Sequence, residues 1–351
     1  MSLVELRLSN VRCIESAHLE LSSELNLISG PNGSGKTSIL EAVFLLGRGR
    51  SFRTRSTDRL IRHGQPSLTV FGRTARLPSR SAGVEVSRDW TKARINSRDA
   101  ATLLELSEFL PVQSIDPEIH KLIDQGPERR RRWLDWLVFH VEPTFATHWT
   151  RYQRALKQRN AALRIRAPNF TAWDLQLAEH GNAISAMRQQ ALTTLEPYLQ
   201  ALLNKFSELE ISVGFSGGWG ADRSFEEALH LNATRDLERQ STTLGPHRAD
   251  VILRTDARSA RETLSRGQQK LLAVSMIVSQ MQMLEAARGT KAVLLLDDPS
   301  AELDARNLQR LFEELASLKC QMIATSLTKE VALFQAPNAT FHVEQGRVLR
   351  V

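Results

Sequence analysis

Three short stretches carry residue types at spacings suited to phosphate chemistry. The first is Gly30-x-x-x-x-Gly35-Lys36-Thr37, within "GPNGSGKTS". Glycines there let backbone N–H groups turn inward around a phosphate, at the positive end of the helix that follows. Gly30, Pro31, Asn32, Gly33, Ser34 and Gly35 would form the cradle, with Ser38 beside it. Lys36 would bridge the β- and γ-phosphates of ATP, and the Thr37 hydroxyl would coordinate Mg2+.

The second stretch is "AVLLLDDPSAELD", in which the apolar Val293–Leu296 run ends in Asp297 and Asp298. A buried strand with this ending places both acids beside the phosphate loop. Asp297 is the candidate Mg2+ ligand, directly or through water, and Asp298 the candidate for polarising the attacking water. Asp298 competes with a plainer role, capping the turn before Pro299. Two adjacent acids at a buried strand end are costly without a cation, which favours the catalytic role.

The third stretch is "SRGQQK", Ser265–Lys270, a Ser-x-Gly turn running into an apolar helix. Ser265 offers a hydroxyl, Gly267 an unobstructed N–H, and Gln268 follows, all at a helix N-terminus suited to a γ-phosphate. Taken alone, Ser265 would be an ordinary N-cap. The chain already has one phosphate loop, however. A second phosphate-binding turn makes most sense if it closes over the nucleotide of another copy, so that a two-fold dimer buries two ATP molecules.

The surrounding pattern must position these motifs. "VELRLSNVR" alternates as a strand, and "AHLELSSELNLISG" reads as a second strand ending at Gly30. From Lys36 the spacing of Ile39, Leu40, Val43 and Leu46 is helical, with Gly47 and Gly49 as stop signals. "SLTVFGRTARL", "AGVEVSRDW" and "KARINSRDA" read as antiparallel hairpins covering this strand–loop–helix unit. Between about Pro127 and Leu237 the apolar spacing is helical, punctuated by Pro143, Pro168 and Pro197. No sustained heptad appears, so a compact helical lobe is expected and not a coiled-coil arm. The expected class is α/β: residues 1–125 and 240–351 form lobe I, and residues 126–239 form an inserted helical lobe II. The turn at 264–270 falls at the lobe junction.

Bulk properties bound the function. The 351 residues are 42% hydrophobic with a formal charge of +7, which permits a polyanionic partner without requiring one. No run of about 18 apolar residues suggests a membrane span, and "MSLVELRLSN" lacks signal-peptide features. Cys13 and Cys320 read as reduced core residues of a cytoplasmic protein.

The order of the three motifs resembles the ABC-type ATPases, and specifically their DNA-repair branch with SMC-like heads. "FLPVQSIDPEIHKLIDQGPERRRRWLDW", "LKQRNAAL" and "TTLGPHRADV" narrow the resemblance to the RecF family over nearly the whole chain. The resemblance implies an ATP-dependent homodimer that binds duplex DNA at single-strand/double-strand junctions and helps RecO and RecR load RecA at gaps. It also implies weak hydrolysis that acts as a timer. Under it, Gln113 looks like the Q-loop glutamine, a ligand or sensor of Mg2+ and the γ-phosphate; a polar strand end is the other reading. Arg12 in "NVR" would reach the nucleotide's phosphates or base, or be a surface arginine. Asp304 looks like the D-loop acid, or caps the next helix.

Two features depart from transporter-type relatives: Asp298 stands where they carry Glu, and Thr325 or Ser326 where they carry His. A transporter's nucleotide-binding subunit is the alternative function, but it gives no account of "GPERRRRWLDW" or "GPHRAD". Arg129–Arg132 and the cluster Arg154, Lys157, Arg159, Arg164 and Arg166 read first as solvated faces with local ion pairs. The better candidate for duplex phosphates is "GRGRSFRTR", with Arg50, Arg53 and Arg55. Trp133, Trp136, Trp149 and Trp173 are expected to pack the helical lobe.

Overall fold

The computed structural model describes residues 2–54, 56–75, 78–206, 209–299, 305–327 and 336–351. Arg55 and Asp304, two of the candidate residues, lie outside them. The chain divides into two compact units, Met1–Ile119 with Gly289–Val351, and His120–Arg288.

The first unit opens with β1 (Leu3–Val11), β2 (Ile14–Glu20), β3 (Leu25–Ser29) and α1 (Lys36–Arg48). It continues through β4 (Ser67–Thr74), β5 (Ser81–Ser87), β6 (Thr91–Ile95), β7 (Arg98–Asp99), α2 (Leu104–Phe109) and β8 (Val112–Ile115). In the second unit follow α3 (Lys121–Asp124), α4 (Pro127–Val141), α5 (Phe145–Arg164), α6 (Asp174–Phe206) and β9 (Ser212–Ser216). Then come α7 (Phe225–Leu231), α8 (Ala233–Arg239), β10 (Asp250–Thr255), β11 (Arg258–Ser259), α9 (Ala260–Thr263) and α10 (Arg266–Arg288). The chain closes the first unit with β12 (Val293–Leu296), α11 (Ala305–Ser317), β13 (Met322–Ser326), β14 (Ala339–Glu344) and β15 (Arg347–Arg350).

Two sheets build the first unit. One is antiparallel in the order β2-β1-β4-β5-β6-β7, and so contains the expected hairpins. The other runs β15-β14-β3-β13-β12-β8, parallel except for the terminal β14–β15 pair. Every residue of β3, β12 and β13 is buried, the pattern of parallel strands covered on both faces. α1 is buried nearly all round because it packs against strands of both sheets. Of its two stop signals only Gly49 ends it, in left-handed conformation at φ 64°. Gly47 stays helical and serves packing: a Cβ there would meet the Leu110 carbonyl oxygen at 2.5 Å.

Three expectations need correction. "AHLELSSELNLISG" is not one strand but two, β2 and β3, in different sheets. The break follows from Asn26, whose buried side chain folds back onto the Ser22 backbone at both N–H and carbonyl. Cys320 is buried as expected, whereas Cys13 is exposed. It sits on the turn between β1 and β2, with its sulfur toward the Ser34 carbonyl, so it is no core residue. Residues 120–125 and 240–288, expected with the first lobe, belong to the helical unit. The reason is α10, whose apolar surface packs on α3, α4 and α6.

In that unit Pro143 and Pro168 fall between helices, but Pro197 lies within α6. Buried Leu192, Leu195, Leu199 and Leu202 hold both flanks of α6, which offsets the lost backbone bond. Trp133 and Trp136 are buried; Trp133 donates its indole N–H to the Met276 carbonyl. Trp149 is half-buried under Arg188, and Trp173 bonds to Gln158.

Candidate nucleotide site

β3 delivers the phosphate loop to the carboxyl edge of the parallel sheet, and α1 leaves it. Parallel strands bring all their carboxyl ends to one side, which is where open α/β sheets bind ligands. Two glycines show why the loop has its shape. Gly30 has φ 151°, and a Cβ there would collide with the Val343 carbonyl oxygen at 2.2 Å. Gly33 has φ 75°, and a Cβ would meet nothing within 4 Å, so the loop is open on that side. The Ser34 hydroxyl is buried without a hydrogen-bond partner among the described residues, in a loop whose pattern calls for phosphate oxygens.

Lys36 is almost fully buried. Its ammonium donates to the carbonyls of Gly30 (2.6 Å) and Pro31 (2.9 Å), both in its own loop. Burial lowers its pKa from the ordinary lysine value, while Asp298 and Asp297 oppose the shift.

The sheet order explains the acids. β13 lies between β3 and β12, so its last residues face both the loop strand and the acid strand. The Thr37 hydroxyl donates to the Asp297 carboxylate, at 2.9 Å and 3.2 Å to its two oxygens. Thr325 on β13 donates to Asp297 Oδ1 at 2.9 Å and accepts the Asp298 N–H at 3.0 Å. Asp298 is half-buried in the left-handed region at φ 47°, a conformation aspartate tolerates better than most side chains. A hydroxyl and a carboxylate in contact beside an open glycine loop fit ATP with Mg2+. Thr37 and Asp297 are the residues that would hold the ion.

Other candidates are placed differently. Gln113 is buried inside β8, paired in register with Leu294, two residues short of the strand's carboxyl end. Arg12 is engaged by Glu41, with its Nε at 2.7 Å and a terminal nitrogen at 2.9 Å from the two carboxylate oxygens. Sequence reasoning missed Glu41. Its signal was an acid on the apolar side of α1, one turn after Thr37; it is fully buried and also accepts from the Ser51 hydroxyl at 2.6 Å. Ser51 in turn accepts the backbone N–H groups of Arg53 and Thr54, which fixes the start of the arginine-rich loop. Arg53 is exposed and Arg50 half-buried. Ser326 ends β13 opposite Ser29, buried.

The Ser265 turn belongs to the other unit. Ser265 accepts the Gln268 N–H and returns its own N–H to the Gln268 side chain, the reciprocal cap of a helix start. Ser265, Arg266, Gly267 and Gln268 are all exposed, and a Cβ on Gly267 would meet nothing within 4 Å. All four arginines of the Arg129–Arg132 block are engaged, and Arg129 donates to the Gln125 side chain at 2.8 Å. Arg130 grips Asp250 with two bonds, Arg131 reaches the Ala249 carbonyl, and Arg132 pairs with Glu128. Arg159 is fully buried between Asp174 and Asp236, whereas Arg154, Lys157, Arg164 and Arg166 are exposed.

The chain is similar to known proteins over nearly its whole length. The model of the RecF/RecN/SMC N-terminal domain matches residues 2–348. A DNA replication and repair protein RecF of Pseudomonas syringae pv. syringae (strain B728a) is 37% identical, over 99% of this chain and 98% of its own. Its counterpart from Shewanella sp. (strain MR-4) is 36% identical, over 99% of both chains. Among solved structures, the recombination mediator protein RecF with ATP, of the RecFOR pathway, matches with a TM-score of 0.91 at 25% identity. That match covers 100% of this chain and 97% of the other. An SMC head bound to the C-terminal winged-helix domain of ScpA shares the fold alone, with a TM-score of 0.61 at 15% identity.

Proposed function

The chain belongs to the RecF family of SMC-like ATPase heads, and from that premise we propose that it is an ATP-dependent DNA-binding protein of recombinational repair and replication restart. ATP closes a homodimer, the closed dimer binds duplex DNA at gaps and junctions, and with RecO and RecR it helps load RecA. Slow hydrolysis to ADP and phosphate acts as a timer. The observation that carries this reading is the Thr37–Asp297–Thr325 constellation beside an open phosphate loop. Family membership leaves the transporter alternative without support.

Each residue has a definite task. Lys36 exchanges two loop carbonyls for β- and γ-phosphate oxygens, which gives its ammonium a full counter-charge. Bound Mg2+ would neutralise phosphate charge, held by Thr37 and Asp297. Thr325 keeps the Asp297 carboxylate oriented and the Asp298 backbone in place, so Asp298 can orient water. Aspartate reaches less far than glutamate, in keeping with slow turnover.

The exposed Ser265 turn supports the trans arrangement. Its hydroxyl oxygen accepts the capping N–H and still has its own proton to donate to a γ-phosphate. Gly267, without a neighbour to demand glycine, leaves room for that approach.

Fluorescence anisotropy of a labelled gapped duplex, with and without ATP–Mg2+, tests the reading. Tight binding that requires ATP and is lost in Ser265→Arg is expected. Binding indifferent to ATP would sink the coupling.

A further inference from the structure

The "GPHRAD" segment, Gly245–Asp250, leads into β10, and the nucleotide site makes no use of it. Nearly every residue of it is tied down. Gly245 donates its N–H to the Gly218 carbonyl at 3.1 Å; its φ is 126°, and a Cβ would strike the Tyr152 hydroxyl at 2.5 Å. The Pro246 carbonyl accepts from Arg188 at 2.7 Å. His247 is bonded through both ring nitrogens, to the Tyr152 hydroxyl at 2.7 Å and the Thr242 carbonyl at 3.0 Å. The Ala249 carbonyl accepts from Arg131 at 2.6 Å, and the Asp250 carboxylate takes Arg130 at 2.8 Å and 3.0 Å. Arg248 differs. Its backbone N–H closes the turn onto the Gly245 carbonyl, but its side chain is exposed and has no partner among the described residues.

The charges around the segment do not cancel. Asp250 offsets Arg130, and Asp135 offsets Arg188. Burial pushes His247 down to about 4, so it is neutral near pH 7. Arg131 has a carbonyl, not a carboxylate, as its hydrogen-bond partner. Among the described residues, two guanidinium groups around the segment, Arg131 and Arg248, are left without a paired acid.

We propose that Arg248 is a preorganised contact for a phosphate group, presented by a loop whose backbone is fixed before the ligand arrives. A guanidinium offers a planar fork that matches two phosphate oxygens. Ordering a flexible loop on binding weakens affinity, and here only the arginine side chain remains to be ordered. The phosphate comes from one of two sources, a DNA backbone or the nucleotide held by a second copy. This inference rests on the reading above in that the chain must meet such ligands.

Arg248→Ala, Arg248→Glu and Tyr152→Phe in the full chain test it, each beside the parent protein. With labelled gapped duplex, Arg248→Ala should weaken binding about tenfold and flatten the dependence of log Kd on log salt by about one. Arg248→Glu should weaken it further. Tyr152→Phe removes one anchor of His247, and should weaken binding about twofold to threefold. Loss of DNA affinity at unchanged ATP-driven dimerisation identifies DNA as the source. Loss of dimerisation without DNA, at unchanged DNA affinity of the ATP-free protein, identifies the partner's nucleotide. Parental values for both Arg248 variants in both assays would overturn the site. An effect of Arg248→Ala with Tyr152→Phe at parental affinity would overturn the preorganisation. Failure of the ATPase reading shows in the parent protein, as missing ATP dependence; failure of this site shows only in the difference between parent and variant.

Discussion

The polar groups at the phosphate loop and those buried in the helical unit are handled in opposite ways. At the loop, Lys36 rests on carbonyls of its own loop, the Ser34 hydroxyl has no partner among the described residues, and the Thr37 hydroxyl shares Asp297 with Thr325. In the helical unit, Arg159 and Arg188 have no exposed side-chain surface and are paired with carboxylates, and the second also reaches a carbonyl. The first arrangement is exchangeable: a phosphate could replace the loop carbonyls without stranding a charge. The second is committed, because removing a member takes a partner from a buried charge, where bulk water is not at hand to replace it. Both motifs look equally polar in sequence, yet one is arranged for a ligand and the other for the fold.

The comparison can be broken by substitution. Lys36→Met should cost at least about 100-fold in ATP affinity by calorimetry and abolish ATP-driven dimerisation, because charge-assisted phosphate contacts are strong. Its thermal stability should change little, since the ammonium's partners in the structure are loop carbonyls. A dimer that persists without ATP would break the proposed coupling.

Asp236→Ala should do the reverse. It removes one of the two carboxylates that pair the buried Arg159 guanidinium, leaving Asp174, and also frees Thr243, so urea unfolding should show a loss of about 3–5 kcal/mol. ATP affinity measured below the transition should be unchanged. A loss under about 1 kcal/mol would mean that Asp174 and Thr242 alone satisfy Arg159.

A pH titration sharpens the contrast further. His247 titrates near 4 when folded and near 6.5 when unfolded, so the unfolded chain takes up the proton first as pH falls. The contribution is fully present above about pH 6.5 and shrinks as pH drops to about 4, a change of order 3 kcal/mol by linkage. Urea unfolding of the parent and of His247→Asn from pH 7 to pH 4 would reveal it. Equal slopes in the two proteins would remove His247 as the cause.

The smallest effect separates the two regions most directly. Ser34→Ala deletes a buried hydroxyl that has no partner among the described residues, so stability should hold or rise by up to about 1 kcal/mol. ATP affinity should fall severalfold. A clear loss of stability would show that the hydroxyl is used within the fold.

How much of this was legible differs from residue to residue. The phosphate loop, the acid pair and the Ser265 turn stand out because each is a local pattern whose chemistry depends on consecutive residues. The hairpins and the helical segment were equally readable, since period-two and period-3.6 patterns are local too. Less readable were contacts between distant strands. Thr325 meets Asp297 only because β13 lies between β3 and β12, and nothing in "MIATSLTKE" records that order. Glu41 looked like any helix acid until α1 was enclosed by two sheets, with Arg12 arriving from the end of β1. The arginine runs misled most, because charge alone does not say whether a partner carboxylate lies across the fold, as Asp250 does for Arg130.

The sequence by itself therefore determined the family, the phosphate-loop and acid-pair patterns and the run of helices, because those are written in contiguous residues and short periodicities. The tertiary structure decided where the units divide, which threonine supports the acids, and which arginines are free. Those depend on strand order and on groups that meet only after the chain has folded, where burial makes an unpaired charge costly and so selects its partner.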